Sequence, residues 1–560
     1  MTRRYLHTIS VLLLLVLPFS LFAQKSEGGL PPSFEYPSAL RSVSSTYDID
    51  PQLDVKRLVW EDSIAERNGN ALRIAIEIPV NIDIKNNGQW RTLPDSTRIW
   101  QQTISLKGAT GAIISYDDFY IPQGGKLFIY NQEQTEILGA YTHETYPQGG
   151  RFATEPIYSE TFTLEYVASN KSTEDPRIVV SGLGYMYRDF SCPSGDKCFP
   201  QINSATQACI KNINCIEGKD WQNQKRGLVL FFVKVLQNGK QAWGACTGSL
   251  VNNTNVDGKP YILTATHCFF GNAEFDQLIA YFNHEFSGCN NENTMPDYKS
   301  LVGAIPRVYV NLNSGSDTFL YELKDEIPNT WNPYYNGWDR RNSPASSGAV
   351  LQHPYYDVKK IALYNKAITS ATWVDNPYVG ATNAHWRVVY NDGVTDKGSS
   401  GSPLFNADGL IIGTLTGGSS SCASTSSPDM YGKLWYAWDQ FTEDLDYDQQ
   451  LKLYLDPLDK GVESLVGYDP NGTSGIEEEF DNNQQELILF PIPAVDELNI
   501  NAASIIRKID IYDMQGRLIF TRSDYSGSTA NLDISTWATG IYTVKVNTEQ
   551  KTLTEKFLKK

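Results

Sequence analysis

Short apolar runs alternate with clusters of Gly, Pro, Asn and Asp along most of this chain. The segments ALRIAIEIPVNIDI (71–84), GAIISYDDFYIP (111–122) and GKLFIYN (125–131) are β-branched, aromatic and alternating. Turn residues separate them, so the spacing predicts an all-β sandwich that runs to about Arg188. RGLVLFFVKVL (226–236), PYILTATH (260–267) and GLIIGTLTG (409–417) predict a second strand-rich region. In DYDQQLKLYLDPLDKG (446–461) the apolar residues fall at helical spacing, which predicts a closing helix. The polar, acidic stretch DPNGTSGIEEEFDNNQQ (469–485) reads as a linker. A last β module follows, with Gly516 expected in a hairpin turn and Gly540 at a strand entry.

Composition sharpens these boundaries. The chain has 560 residues, room for about three or four domains. Arg3 and Arg4 precede an apolar stretch from Ile9 to Phe22 that ends in Ala23, the pattern of a secretory signal peptide. No later segment approaches the length of a membrane-spanning helix, so no transmembrane anchor is expected. The first β region contains no cysteine, and all eight cysteines fall between Cys192 and Cys422. The expected organisation is therefore a signal peptide (1–23), a β-rich region (24–188), a cysteine-bearing domain (189–468), a linker (469–485) and a terminal module (486–560). Export permits disulfides, and the absence of any CxxC pair argues against zinc or thioredoxin-like chemistry. The net charge of −17 disfavours nucleic acid as a partner and serves solubility. No metal site is visible, no cofactor is expected, and the chain is read as a monomer.

One stretch invites chemistry: KGSSGSPLFN (397–406) is either a Ser/Gly turn or a loop presenting a nucleophile. A nucleophilic serine needs a histidine to take its proton and a carboxylate to hold that histidine's tautomer. Only six histidines exist. His7 lies in the signal peptide and His143 in the cysteine-free region, while His284, His353 and His385 have ordinary strand or loop contexts. His267 ends the apolar strand YILTATHC and is followed at once by Cys268. Cys246 starts a neighbouring strand in GACTGSLVNN (244–253), and a Cys246–Cys268 bridge would fix the backbone under His267. Asp317, in SGSDTFLYEL (314–323), precedes a core-like apolar run and is the chosen carboxylate. Asp297, Asp325 and Asp357 sit in polar settings and are expected in solvent. The order His, Asp, Ser is that of chymotrypsin-like double β-barrels, not of α/β-hydrolases or subtilisins. The serine loop also fails the G-x-S-x-G elbow, because Ser402 replaces the second glycine.

ACTGSLVNN, LTATHC, SDTFLYEL, GWDRR (337–341), GSSGSP and GGSSSC (417–422) together resemble secreted bacterial lysyl endopeptidases, a branch of the trypsin-like serine proteases. The resemblance covers roughly residues 205–468. It implies Ser400 as nucleophile, His267 as general base, Asp317 as its orienting partner, and an oxyanion hole from the Gly398 and Ser400 N–H groups. Ser399 and Ser402 are given structural roles. Ser399 stands where many trypsin-like enzymes carry an aspartate that pairs with a new N-terminus. The resemblance also implies bridges Cys209–Cys422, Cys215–Cys289 and Cys246–Cys268, which leaves Cys192 and Cys198 to each other. SSPDMYGKLWYAW (426–438) resembles the family's specificity segment and implies Asp429 at the base of the S1 pocket. There a buried carboxylate without an internal partner would take the substrate's ammonium, with lysine first and arginine second. Trp373 corresponds to a tryptophan that walls the family's active site, whereas Thr416 stands where a histidine is often found.

The N-terminal β region resembles the propeptide of such proteases, expected to chaperone folding and block the cleft until removed; a permanent substrate-binding module is the alternative. Its removal would fall within 188–208, where Arg188 and Lys197 are the basic residues. LFPIPAVDELNI (489–500), IDIYDMQGRLIF (509–520) and LDISTWATGIYTVKV (532–546) resemble the C-terminal sorting domain of Bacteroidetes type IX secretion cargo. That implies passage across the outer membrane, with the type IX machinery as partner and a released or surface-attached product. The expected substrates are proteins or peptides with a basic P1 residue. An inactive homologue acting as a surface adhesin, and a protease with another P1 preference, are the rival readings.

Overall fold

The computed structural model describes residues 26–36, 46–65, 71–188, 209–289 apart from 238 and 271, 298–440 apart from 376, 450–472, and 487–560 apart from 491–493, 503, 524, 526 and 550. The expected signal peptide, Cys192, Lys197, Cys198 and most of the expected linker lie outside the described residues. The chain divides into two compact units at Gly472. It is all-β, with three large sheets in the first unit and two small ones in the second.

In the first unit a six-stranded sheet, which includes Arg98–Leu106, Lys126–Asn131 and Thr161–Val167, faces part of an eleven-stranded sheet. Trp100, Ile104, Leu127 and Phe162 from the former and Ile113, Tyr116 and Leu183 from the latter share one core. This is the sandwich that the alternating segments predict. The larger sheet does not stop at Arg188. Its order is Lys299–Val302, Glu274–Phe282, Leu228–Gln237, Lys240–Leu250, Leu72–Asp83, Arg177–Met186, Gly111–Tyr120, Gly150–Ile157. Strand Leu72–Asp83 thus pairs antiparallel with Lys240–Leu250, with Ala242 opposite Ile76 and Ala245 opposite Leu72. Flanked on both sides, the strand buries its first six residues on both faces and alternates only afterwards. Polar groups fasten the same seam. Glu77 accepts a hydrogen bond from Trp243 Nε1 at 2.8 Å and lies 3.4 Å from Lys234 Nζ. Gln277 donates to the carbonyls of Tyr116 and Phe152.

Two halves make up the cysteine-bearing region. The first brings Leu228–Gln237, Lys240–Leu250, Tyr261–Ala265, Glu274–Phe282, Ala304–Val310 and Thr318–Leu323 around Val229, Phe231, Ile262, Leu278 and Phe319. The second, from Gly348–Gln352 to Asp429–Lys433, surrounds Val350, Trp386, Leu404, Leu415 and Tyr431. Leu228, Leu263, Trp338, Phe405, Leu451 and Leu455 fill the seam between them. This is the chymotrypsin-like double-barrel arrangement. Of the closing helix expected over 446–461, residues 446–449 lie outside the described residues, and in the remainder a helix spans only Leu451–Leu455. Asp456 precedes Pro457, which disfavours helical backbone, and its carboxylate accepts Thr254 Oγ1 and the N–H groups of Lys460 and Gly461. Three bridges join Cys209 to Cys422, Cys215 to Cys289 and Cys246 to Cys268.

The second unit packs a three-stranded and a four-stranded sheet around Leu498, Ile500, Ile509, Ile511, Val544 and Phe557. Gly516 lies between Ile506–Asp513 and Leu518–Ser523, and Gly540 opens a strand, both as expected. Among the described residues, no helix is long and apolar enough to cross a membrane.

Candidate active site

Strand Tyr261–Ala265 runs into a tight turn, Thr266–Phe269, that carries His267. Thr266 Oγ1 lies within hydrogen-bond distance of the carbonyls of Val310 and Thr318, and the Thr266 N–H donates to the Asp317 carbonyl. The turn is thereby locked to the loop that holds Asp317. That residue adopts φ +56°, a left-handed conformation that Asp tolerates better than most residues. Its Oδ1 accepts the His267 backbone N–H at 2.9 Å, and its Oδ2 sits 2.7 Å from His267 Nδ1. Both side chains are buried. A carboxylate can only accept, so Nδ1 carries the ring proton and Nε2 presents a lone pair. Nε2 has no hydrogen-bond partner among the described residues. Cys246 lies in mid-strand rather than at its start, and its bridge to Cys268 anchors the turn from below.

The serine loop is gripped by the next residue of that strand. Thr247 N–H donates to the Ser400 carbonyl at 2.9 Å and Thr247 Oγ1 to the Gly398 carbonyl at 3.0 Å. Gly398 and Gly401 adopt φ +89° and +81°, which a side chain would strain. At Gly401 space is absent too: a Cβ would lie 1.9 Å from Thr264 Oγ1 and 3.0 Å from the Ala265 nitrogen. The loop therefore lies directly against the strand that leads to His267. Along it, the N–H groups of Ser399, Gly401 and Ser402 donate to the carbonyls of Asp396, Leu415 and Ser399. Those of Gly398 and Ser400 make no hydrogen bond among the described residues. Ser399 is buried, and its hydroxyl donates to Gln352 Oε1 at 2.6 Å, a neutral setting with no cation to receive.

Ser400, Gly398, Trp373 and Asp429 line one cavity of about 140 Å³, together with Thr395, Ser420 and, from the N-terminal region, Leu72. Asp429 opens strand Asp429–Lys433 and is buried. The expectation that it lacks internal partners is corrected here. Its Oδ2 accepts Thr395 Oγ1 at 2.5 Å and Ser420 Oγ at 2.6 Å, and its Oδ1 accepts the Ser420 N–H at 3.0 Å. Burial pushes its pKa up, and the donors Ser420, Thr395 and Tyr390 oppose that shift. All these donors are neutral, and no cation pairs with Asp429 among the described residues. Local sequence gives no sign of Thr395 and Ser420 as partners, because both lie in loops that reach Asp429 only in the folded chain.

Trp373, which lines this cavity, also meets one of the other histidines. Trp373 tilts over His385 with ring centroids 6.3 Å apart. His385 is buried, and burial pushes its pKa down to about 4 against the opposing charge of Asp317. His284 and His353 are buried in a different cluster, where burial and Lys359 push His284 down to about 3. Asp357, expected in solvent, is buried beside Lys360 at 3.3 Å. Among the described residues no cluster of His, Cys, Asp and Glu could hold a metal ion.

Residues 203–432 match the family model of the lysyl endopeptidase C-terminal domain, and residues 488–560 match the secretion system C-terminal sorting domain. A lysyl endopeptidase of Pseudomonas aeruginosa is 30% identical over 189 residues, which cover 32% of this chain and 39% of that protein. The chain thus spans well under half the length of that relative. The crystal structure of Rv3671c from M. tuberculosis, an inactive serine-to-alanine mutant, aligns with a TM-score of 0.26 at 11% identity, covering 40% of this chain and 88% of that one. Residues 203–432 are thus similar to the lysyl endopeptidase C-terminal domain, and the sorting-domain match at residues 488–560 indicates type IX export, to the medium or to the cell surface.

Proposed function

We propose that this chain is a secreted serine endopeptidase that cleaves peptide bonds on the carboxyl side of lysine. The observation that carries the reading is the buried His267–Asp317 pair beside a loop whose Gly398 and Ser400 N–H groups are unused. Ser400 Oγ attacks the substrate carbonyl carbon as His267 Nε2 takes its proton. The resulting oxyanion accepts the N–H groups of Gly398 and Ser400, donors of a kind that contribute about 10²–10³ in rate. His267 then gives the proton to the departing amine, leaving an acyl-enzyme that water hydrolyses by the same route. Asp317 holds the ring tautomer and stabilises the imidazolium. Asp429, buried among neutral donors, supplies the negative charge that a P1 ammonium neutralises.

Residues 24–188 act in this reading as a propeptide. Strand Leu72–Asp83 extends the sheet at Lys240–Leu250, and Leu72 lines the same cavity as Ser400, so a substrate chain would compete for that edge. Its removal falls beyond Arg188, whose guanidinium is held by Asp62 at 3.1 Å and by the Arg73 carbonyl at 2.8 Å. The partners are protein or peptide substrates and the type IX machinery.

A fluorophosphonate probe tests the chemistry: it should label Ser400 in secreted material, and an unlabelled, correctly folded protein would favour the adhesin reading. A peptide-library cleavage profile should then show lysine at P1. N-terminal sequencing of active enzyme should begin after Arg188; active material that begins near residue 24 would refute the propeptide.

A further inference from the structure

The Gly398 N–H that the proposed mechanism uses belongs to the Lys397–Gly398 peptide. A trans peptide points its C=O and its N–H in opposite directions. Whatever holds the Lys397 oxygen therefore aims the Gly398 N–H. That oxygen accepts the Tyr355 N–H at 2.5 Å. Tyr355 sits in the turn Pro354–Tyr356 at φ +50°, and Tyr356 follows at φ +52°, a left-handed pair that bulky residues rarely adopt. The approach is tight, since a Cβ on Gly398 would lie 2.9 Å from the Tyr355 nitrogen and 3.1 Å from the His353 oxygen. Just before this turn, Gln352 ends strand Gly348–Gln352 and is buried. Its Nε2 donates to the Val394 carbonyl at 2.7 Å, and its Oε1 accepts the Ser399 hydroxyl at 2.6 Å. One amide thus grips both ends of segment 394–399, with the Lys397–Gly398 peptide between its two contacts.

We infer that Gln352 is a positioning residue for the reaction: it clamps segment 394–399 against the turn that follows it, so that the Gly398 N–H faces the oxyanion before substrate arrives. This rests on the reading of Ser400 as nucleophile and Gly398 as oxyanion donor. The need for a clamp follows from the glycine. Without a Cβ, Gly398 offers little resistance to a flip of the peptide before it. A flip would swing the Lys397 C=O toward the oxyanion and take the donor away. Thr247 does not prevent this by itself. Its Oγ1 holds the Gly398 carbonyl and accepts the His353 N–H at 3.1 Å, which fixes the peptide after Gly398 and the start of the turn. Gln352 supplies the hold on the other side, and it does so with a neutral amide against a carbonyl and a hydroxyl, groups that do not titrate.

The test uses matured enzyme, with sites counted by endpoint labelling with a fluorophosphonate. Substrate is a lysyl peptide p-nitroanilide, and the second probe is the matching lysyl peptide aldehyde, whose adduct with Ser400 carries an oxygen in the oxyanion's place. Gln352→Met keeps the side chain's length and removes both hydrogen bonds. It should lower kcat by about 10²-fold, the lower end of what deleting a hole donor costs, and weaken the aldehyde by about the same factor. KM should stay within about threefold of native, because the loss falls on the transition state. Ser399→Ala frees one end only and is the milder change should the first variant fold poorly; it should cost about tenfold in kcat and in aldehyde affinity, again with little change in KM. A loss that appears in KM, or a fall in kcat with aldehyde affinity intact, would mark a merely structural role and overturn the inference. So would kcat within about threefold of native in both variants, with native hydrolysis normal. A native enzyme that neither takes the label nor cleaves would bring down the hydrolase reading, and this inference with it.

Discussion

Replacing Asp317 by asparagine keeps the side chain's shape and removes one acceptor and the charge. In the native pair Oδ1 accepts the His267 backbone N–H and Oδ2 accepts Nδ1–H. Asparagine has a single oxygen for these two jobs. With that oxygen on the backbone N–H, its NH₂ faces Nδ1, the ring proton moves to Nε2, and the base is lost. With the amide reversed, its NH₂ confronts the His267 N–H, two buried donors face to face, at a cost of about 1–3 kcal/mol. The lost charge adds to this: a carboxylate about 4 Å from the imidazolium is worth about 4 kcal/mol at an effective dielectric constant of about 20. Together these amount to roughly 10⁴ in kcat at 1.4 kcal/mol per decade. Asp317→Asn should be processed in trans by native enzyme, repurified, and assayed on a lysyl peptide p-nitroanilide. KM should change little, since the substitution does not touch the cavity that holds the side chain of P1. Activity within tenfold of native, in protein of native thermal stability, would refute the roles given to His267 and Asp317.

Asp429→Ser removes the buried charge and should cost roughly 10²–10³ in kcat/KM on lysyl peptides; near-normal hydrolysis would show that the cation binds elsewhere. Gly401→Ala would place its Cβ 1.9 Å from Thr264 Oγ1 at φ +81°, so calorimetry should record a loss of roughly 3 kcal/mol, and activity should fall as the Ser400 loop is pushed off its strand. A variant as stable and active as native would contradict the close approach of loop and strand. Glu155 in the N-terminal region is buried against Ser300, and burial raises its pKa to about 7. The folded state therefore keeps a proton that the unfolded chain releases near pH 4.5, so this group's contribution is complete below about pH 4.5 and is lost as pH rises to about 7. Urea unfolding of the unprocessed chain should show that decline, up to roughly 3 kcal/mol, and Glu155→Gln should flatten it; an unaltered profile would refute the assignment.

Much of the candidate site is legible in order along the chain. A histidine that ends a buried strand beside a cysteine, an aspartate before a core run and a serine between glycines are local patterns, set by what a turn or a strand end tolerates. Gly398 and Gly401 belong to this class, because positive φ is a property of one residue. The helix expected over 446–461 shows the limit of such reasoning. Its apolar spacing extends past Leu455, but the Asp456–Pro457 step and the donors gathered on Asp456 end it.

The sequence by itself determined the all-β class, the cysteine-bearing region and the chemical types of the catalytic candidates, since each follows from composition, period and spacing. Tertiary structure alone decided which strand edges meet. A period of two fixes the face that a strand buries but not its neighbour, so nothing local announced that Leu72–Asp83 would pair with Lys240–Leu250 and carry Leu72 to the cavity. The same holds for Asp429. Its burial could be expected from the motif, whereas Thr395, 34 residues before it, became its donor only when the fold laid its loop against the strand of Asp429, with the two side chains 2.5 Å apart.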